Sequence, residues 1–386
     1  MQGDHAVEFG IFNGAYVPAS MTEAEGPAAE IRRFKEEIEW VKAADRSGFK
    51  YLWATEHHFL EEYSHLSANE SFLGYCAAIT ERIHLGSGIM NVTPPVNHPA
   101  RVAERAAMLD ILSDGRFELG MGRGSSTTEQ AGFGITDPEL TKAMFDETVP
   151  EIVKMWRPGT YPGFDGRFFS MPPRNVLPKP FTQPHPPLWV AAGSPSTFEK
   201  AARLGVGVLC FTTGLSEQLA PLIELYKREV VNAHPIGEYI NDNVMVTSSM
   251  LCLEDGNRAR QLMGAARGNY HKSLLFRYLD TFPRPEGTPE WPELCEPYTA
   301  EEIALAVDMG EWAIGDPDEC SRVVQRWTDV GADQLTFGMM SQEVPIDVII
   351  EATELFGREV IPRFDTDPIH RTTHLRTQQL AAARTV

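Results

Sequence analysis

The sequence predicts a (β/α)8 TIM barrel with insertions, an α/β fold, on three observations. β-Branched or aromatic runs ending in Gly or polar residues alternate with longer stretches of helical period. Eight such strands can be placed, each followed by a helix. The chain of 386 residues exceeds the roughly 250 of a plain barrel, which leaves room for insertions. A doubly wound sheet is the alternative with the same alternation.

In chain order, strands are expected near Val7 to Asn13, Lys50 to Glu56, Ile83 to Ile89, Arg116 to Gly122, Pro187 to Gly193, Val206 to Thr213, Asn243 to Glu254 and Ala332 to Met339. Helices fill the gaps over Ala29 to Ser47, Ala68 to Arg82, His98 to Ser113, Leu140 to Trp156, Ser196 to Leu204, Glu217 to Ala233, Asn257 to Tyr278 and Cys320 to Val330, with a last one over Ile346 to Phe364. Gly48 and Gly115 stop helices in Arg46-Ser47-Gly48 and Leu112-Ser113-Asp114-Gly115, so those connections are short. Two stretches are too irregular to be turns, Tyr161 to Pro187 and Phe282 to Asp318. The first contains Tyr161 to Phe169, which reads as a hairpin turning at Asp165-Gly166. The second is expected to be a lid, because long loops in compact domains commonly bind or cover. Residues 1–364 are thus read as one barrel domain. Residues 365–386 are read as a polar, then Ala-rich tail, either disordered or packed on a partner subunit.

Composition narrows the function. The net charge of −20 repels nucleic-acid phosphates and anionic lipid, while leaving room for a local basic pocket that takes one small phosphate. No apolar stretch approaches the roughly 20 residues that cross a bilayer, and Met1 to His5 lack the character of a signal peptide, so a cytoplasmic protein is expected. Five scattered cysteines without metal-ligand spacing read as reduced thiols, and no metal site is expected.

In a barrel, ligands bind at the carboxyl ends of the strands. The second strand ends in Glu56-His57-His58-Phe59, a carboxylate and two adjacent imidazoles after the apolar run Tyr51-Leu52-Trp53. Neighbouring strand residues face opposite sides, so one histidine should serve the site and the other the wall. An imidazole titrating near 6.5 is suited to exchanging a proton near neutral pH. The fourth strand ends in Gly122-Arg123-Gly124, where glycines admit a ligand to the backbone and the guanidinium can grip a phosphate. The fifth ends in Gly193-Ser194-Pro195-Ser196-Thr197, which opens a helix and reads either as an anion site or as an ordinary cap.

These motifs resemble the bacterial luciferase-like flavin-dependent monooxygenase family over most of residues 7 to 364. Glu56-His57-His58-Phe59, His98-Pro99, Asp114-Gly115-Arg116-Phe117, Gly122-Arg123-Gly124, Gly134 and the terminal Ile314-Gly315-Asp316-Pro317 and Gly331-Ala332-Asp333 recur in family order. The resemblance implies a two-component enzyme that takes reduced FMN from a separate flavin reductase and uses oxygen, through a flavin hydroperoxide, to oxygenate a small organic substrate. It implies His57 as the catalytic histidine with Glu56 as its partner. It also implies a phosphate grip from Arg123, Gly193, Ser194 and Thr197, with Lys142 where many members carry a further basic residue. Gly88 and Ile89 fall where the family has a bulge supporting the flavin ring, in some members with a non-proline cis peptide. The resemblance further implies a homodimer joined through the first barrel helices, consistent with the apolar and small residues around Ala68 to Arg82. No nicotinamide fingerprint is present in the sequence, as a separate reductase would require.

The chain departs from the luciferase subunits at Gly122, where they carry cysteine, and at Gly193, where they carry an acidic residue, so light emission is not implied. Two extra residues within Asn91 to Asn97 and the insertion from Phe282 to Asp318 leave the substrate open. Hydride transfer with a deazaflavin coenzyme is the alternative within the same superfamily, and a non-catalytic flavin-binding protein is the alternative outside enzymes.

Overall fold

The computed structural model describes residues 6–17, 19–60, 63–124, 126–211, 215–265, 299–338 and 344–384. Twelve strands are found there: β1 (Glu8–Asn13), β2 (Tyr51–Ala54), β3 (His84–Ser87), β4 (Met90–Asn91), β5 (Phe117–Gly122), β6 (Phe164–Asp165), β7 (Ser170–Met171), β8 (Leu188–Ala191), β9 (Gly207–Cys210), β10 (Val244–Cys252), β11 (Ala313–Gly315) and β12 (Gln334–Gly338). The helices are α1 (Ala19–Glu25), α2 (Ala28–Arg46), α3 (Asn69–Ile79), α4 (Pro99–Leu112), α5 (Thr127–Gly132), α6 (Leu140–Met155), α7 (Pro195–Leu204), α8 (Ser216–Val230), α9 (Gly256–Ala265), α10 (Ala300–Asp308), α11 (Pro317–Asp329), α12 (Ile346–Glu359), α13 (Ile361–Phe364) and α14 (Arg371–Ala383).

Eight strands pair in parallel in the order β12-β1-β2-β3-β5-β8-β9-β10, and β10 returns to β12, so the sheet closes into a barrel rather than an open doubly wound sheet. Helices cover the outside and side chains fill the inside, which is why β1, β2, β3, β5 and β9 are buried along their whole length. Two tryptophans fill the barrel interior, Trp53 and Trp189, with ring centroids 5.1 Å apart and planes at 76°. Each requires a glycine beside it: a Cβ on Gly86 would lie 2.2 Å from Trp53 Cε3, and one on Gly207 would lie 2.4 Å from Trp189 Cε3.

The expected strand from Ile83 to Ile89 is broken. β3 ends at Ser87, the Gly88-Ile89 peptide is cis, and pairing with β5 resumes at Met90↔Met121 and Asn91↔Gly122. The first insertion carries the hairpin β6–β7, paired Phe164↔Met171 and Asp165↔Ser170, and Glu147 of α6 holds its turn by accepting from the N–H groups of Arg167, Phe168 and Phe169. Of the second insertion, residues 282–298 lie outside the described residues, as do 266–278 of the helix expected over Asn257 to Tyr278. The part from 299 to 318 is α10 followed by β11, a strand added outside the barrel through Met250↔Ala313 and Leu251↔Ile314. Its three residues are too few to register as a strand by periodicity.

The chain end closes the amino-terminal mouth of the barrel. α14 begins at Arg371, and the residues leading into it reach the first residues of the strands. Lys50 Nζ bridges Glu8 Oε1 at 2.7 Å and Asp365 Oδ2 at 2.8 Å, while Tyr51 Oη donates to Glu8 Oε2 at 2.7 Å. His370 donates from Nε2 to the Lys50 carbonyl at 2.9 Å and stacks on His84, ring centroids 3.5 Å apart. Buried Glu118 accepts from His84 Nδ1, Trp189 Nε1 and Thr372 Oγ1 at 2.7, 2.7 and 2.8 Å. Burial pushes the His84 imidazole down to about 3, so it is neutral in this stack. Among the described residues no helix is long and apolar enough to cross a membrane.

Candidate active site

At the opposite, carboxyl end of the barrel the chain leaves β2 and turns. Thr55 N–H still donates to Asn13 at 3.0 Å, but His57 N–H goes to the Leu66 carbonyl at 3.1 Å, and Phe59 has a φ of 63°. The alternation of a strand has ended before the two imidazoles, so their directions are set by partners rather than by the pleat. Glu56, 8% exposed, accepts through Oε2 from Asn91 N–H at 3.0 Å and through Oε1 from Asn97 Nδ2 at 3.1 Å, and Oε1 also lies 3.2 Å from His58 Nε2. His58 packs edge-on against Phe133, with centroids 4.8 Å apart. His57 stands edge-on to Tyr63 at 4.6 Å, and its Nδ1 lies 3.1 Å from Glu129 Oε1.

The pairing expected from the sequence is therefore corrected. Glu56 is joined to His58 and to the residues after β3, and the carboxylate beside His57 is Glu129. The physical reason is reach: Glu56 lies next to His57 in the chain, but its side chain turns to fill the gap between β2 and β4. Glu129 is held in α5, whose start is capped by Ser126 Oγ accepting from the N–H groups of Thr128 and Glu129. Ser126-x-x-Glu129 has the spacing of a capping box, the one local signal that marks a helix start here. In this helix, however, the glutamate reaches out to His57 Nδ1 and, at 2.9 Å, to the His58 N–H. Burial by itself would raise the Glu129 carboxyl pKa; the adjoining His57 and the two hydrogen bonds outweigh it and hold the group below its usual range.

Gly88 and Ile89 sit beside this cluster. Gly88 N–H donates to Ala54 O at 2.7 Å, and Asn69 Nδ2 donates to Ile89 O at 3.0 Å and to Ala54 O at 3.3 Å, so α3 holds the bend after β3 against the end of β2. Ile89 lies over Gly122, where a Cβ would be 2.5 Å from Ile89 Cγ1. That contact explains why the position has no side chain. Ile89 and Phe211 adjoin an apolar, largely aromatic cluster of Phe12, Tyr16, Tyr51, Trp53, Tyr63 and Trp189.

The residues expected to grip a phosphate divide into two groups. Arg123, just past β5, donates from Nη1 to Thr141 Oγ1 at 2.8 Å. Lys142, one residue on, is 55% exposed and pairs with Glu139 at 2.6 Å, and Lys142 and Arg123 together hold the Glu139 carboxyl below its usual pKa. The second group opens α7. Thr197 Oγ1 accepts from the N–H groups of Gly193 and Ser194 at 3.2 and 3.0 Å and donates to Ser194 O at 2.8 Å, which makes it a cap of its own helix. Ser194 Oγ lies within 3.2 Å of Ser196 Oγ, and a Cβ on Gly193 would meet nothing within 4 Å. Helices α6 and α7 are joined by the Lys200–Asp146 ion pair.

This arrangement fits a phosphorylated flavin. The partly exposed Arg123 guanidinium, the hydroxyls at the start of α7 and the open space at Gly193 suit a phosphate. The apolar face at Ile89 suits a flat ring. Sequence reasoning missed Glu129, Asn91, Asn97 and Asn69, whose roles arise from contacts over 20 to 72 residues of chain. Among the described residues no group of three or more His, Cys, Asp or Glu side chains is placed to hold a metal ion.

The chain is similar to known monooxygenases. The oxygenase component of the flavin-dependent trigonelline monooxygenase of Acinetobacter baylyi is 33% identical over 177 residues, 45% of this chain and 48% of that protein. The alkanal monooxygenase alpha chain of Photorhabdus luminescens is 25% identical over 370 residues, 92% of this chain and 96% of that one. In the first group of curated relatives the chain spans about half of their length, 52%, 48% and 51%. The solved structure of monooxygenase RslO1 from Streptomyces bottropensis matches with a TM-score of 0.77 at 25% identity, over 93% of this chain and 100% of that chain. The family model for luciferase-like monooxygenases matches residues 7–334. On that match, which takes in the whole candidate site, the chain belongs to the luciferase-like monooxygenase family.

Proposed function

We propose that this chain is the oxygenase component of a two-component flavin-dependent monooxygenase, which binds reduced FMN at the carboxyl-end mouth of the barrel and oxygenates a small organic substrate. The observation that carries the reading is the placing of His57, held by a buried carboxylate, at the same strand ends as the Gly88-Ile89 bend and its apolar face. When bound, reduced FMN supplies the two electrons with which one atom of oxygen enters the substrate and the other leaves as water. Arg123 and the start of α7 at Gly193, Ser194 and Thr197 take the phosphate, and Lys142 adds positive charge at its edge. Gly88 and Ile89 support the ring. His57 holds and moves a proton at Nε2, the ring atom left after Nδ1 faces Glu129. Glu56 positions the cluster by tying the end of β2 to Asn91 and Asn97. The aromatic walls, Tyr63 and Phe133 among them, limit water at the reacting atoms.

The reading includes a separate flavin reductase as transient supplier and a homodimer. Exposed Tyr75 on α3 with Met108 and Leu112 on α4 supports pairing of two copies through these helices. The four described cysteines are free and buried, in keeping with a reducing cytoplasm.

The test is binding and oxygen uptake with reduced FMN supplied enzymatically under air, for the native protein and His57→Ala. The expected result is micromolar or tighter binding of reduced FMN in both, with product formation in a substrate screen for the native protein and release of hydrogen peroxide in its place for His57→Ala. Preference for a reduced deazaflavin, with no oxygen uptake, would overturn the reading in favour of hydride transfer.

A further inference from the structure

We infer that Glu129 is the positioning residue of this site: it fixes the proton of His57 on Nδ1 and so presents Nε2 as the proton-accepting atom. The inference rests on the reading of His57 as the group that moves a proton, and it names what prepares that group.

Glu129 is 4% exposed, and a single oxygen, Oε1, serves both His57 Nδ1 at 3.1 Å and His58 N–H at 2.9 Å. An ionised carboxylate has no proton to donate, so the hydrogen between it and His57 belongs to Nδ1. Neutral imidazole carries one N–H, and once Nδ1 has it, Nε2 is left with a free lone pair. The second contact fixes direction. Because the same oxygen also holds the backbone N–H of the next residue, the carboxylate is referenced to the chain after β2, and the His57 ring is bonded to an acceptor that is itself fixed in place. Tyr63 packs edge-on to the same ring, centroids 4.6 Å apart.

The arrangement is more than a structural tie. The other oxygen, Oε2, is buried and has no hydrogen-bond partner among the described residues. A buried charge is costly, and a neutral amide could accept the same two hydrogens at lower cost. What the carboxylate adds over an amide is negative charge next to His57, which stabilises the imidazole whenever it takes up a second proton at Nε2. Glu56 cannot substitute, because its oxygens are taken by Asn91, Asn97 and His58.

The test reads the tautomer directly in protein without flavin. Histidine labelled with 15N gives distinct shifts for protonated and unprotonated ring nitrogens, and the His57 signals are identified by their loss in His57→Ala. The native protein is expected to carry the proton on Nδ1. Glu129→Ala is expected to return the ring to a mixture of tautomers, and Glu129→Gln to keep Nδ1–H while losing the charge. In both variants product formed per reduced FMN should fall on the order of 10- to 100-fold, with FMN affinity changed less than about threefold. A native His57 protonated on Nε2, or a tautomer unchanged in Glu129→Ala, would overturn the inference. Because the spectrum involves neither flavin nor substrate, its failure is distinct from failure of the monooxygenase reading, which the oxygen-uptake experiment decides.

Discussion

Thr372 Oγ1 donates to Glu118 Oε1 at 2.8 Å, a contact between residues 254 apart in the chain. It places the last helix under the barrel, where Glu118 gathers donors from β3, β8 and the chain end. Thr372→Val should leave that carboxylate one donor short in a buried site and lower the unfolding free energy by about 1–3 kcal/mol, as read by urea denaturation. Thr372→Ser should keep most of it. Removing residues 365–386 should cost more, since Asp365, His370 and Arg371 also bind the strand ends. FMN affinity should be unchanged, because this base lies at the opposite end of the strands from His57.

Arg123 and Lys142 should separate cleanly in FMN titrations. Arg123 is partly enclosed and fixed by Thr141, so Arg123→Ala removes a preorganised charged donor and should weaken FMN binding by roughly 10- to 150-fold, the equivalent of about 1.5–3 kcal/mol. Lys142 is 55% exposed and already paired with Glu139, so Lys142→Ala should change affinity less than about threefold. Equal losses in the two variants would mean that the phosphate lies nearer the start of α6 than the geometry of Arg123 indicates.

Glu37 should make stability fall as pH rises through neutrality. Burial raises its carboxyl pKa from 4.5 to about 7, against the opposing charge of Arg33 and the N–H of Ala15 and with a further push from Glu36. The folded protein therefore binds the proton more tightly than the unfolded chain. The stabilising contribution is complete below pH 4.5 and is lost as pH rises through 7. Glu37→Gln keeps an uncharged side chain at all pH values. Its Tm relative to the native protein should thus rise between pH 5 and pH 8, and a difference that stays constant across that range would show that Glu37 ionises freely.

Much of the barrel was legible in the sequence because its signals are local. The run from Tyr51 to Trp53, the glycine stops at Gly48 and Gly115, and the alternation of apolar runs with helical stretches depend on neighbours a few residues apart. The strand-end motifs were legible for the same reason: Glu56-His57-His58 and Gly122-Arg123-Gly124 lie where the carboxyl ends of a barrel must be. Short elements such as β11 and α5 carry too few residues for periodicity to show, and β3 is interrupted at Gly88-Ile89 although its sequence reads as one strand.

By itself the sequence determined the alternation of the main strands and helices and which motifs stand at the carboxyl ends of the barrel strands, Glu56-His57-His58 among them. The tertiary structure decided the partners. Only closure of the barrel brings Glu129 to His57, turns Glu56 away to Asn91 and Asn97, and seats Thr372 against Glu118. The reason is physical: a polar side chain in a buried site takes whichever complementary group packing delivers within about 3 Å, and that choice is made across the fold, where distance along the chain carries no information.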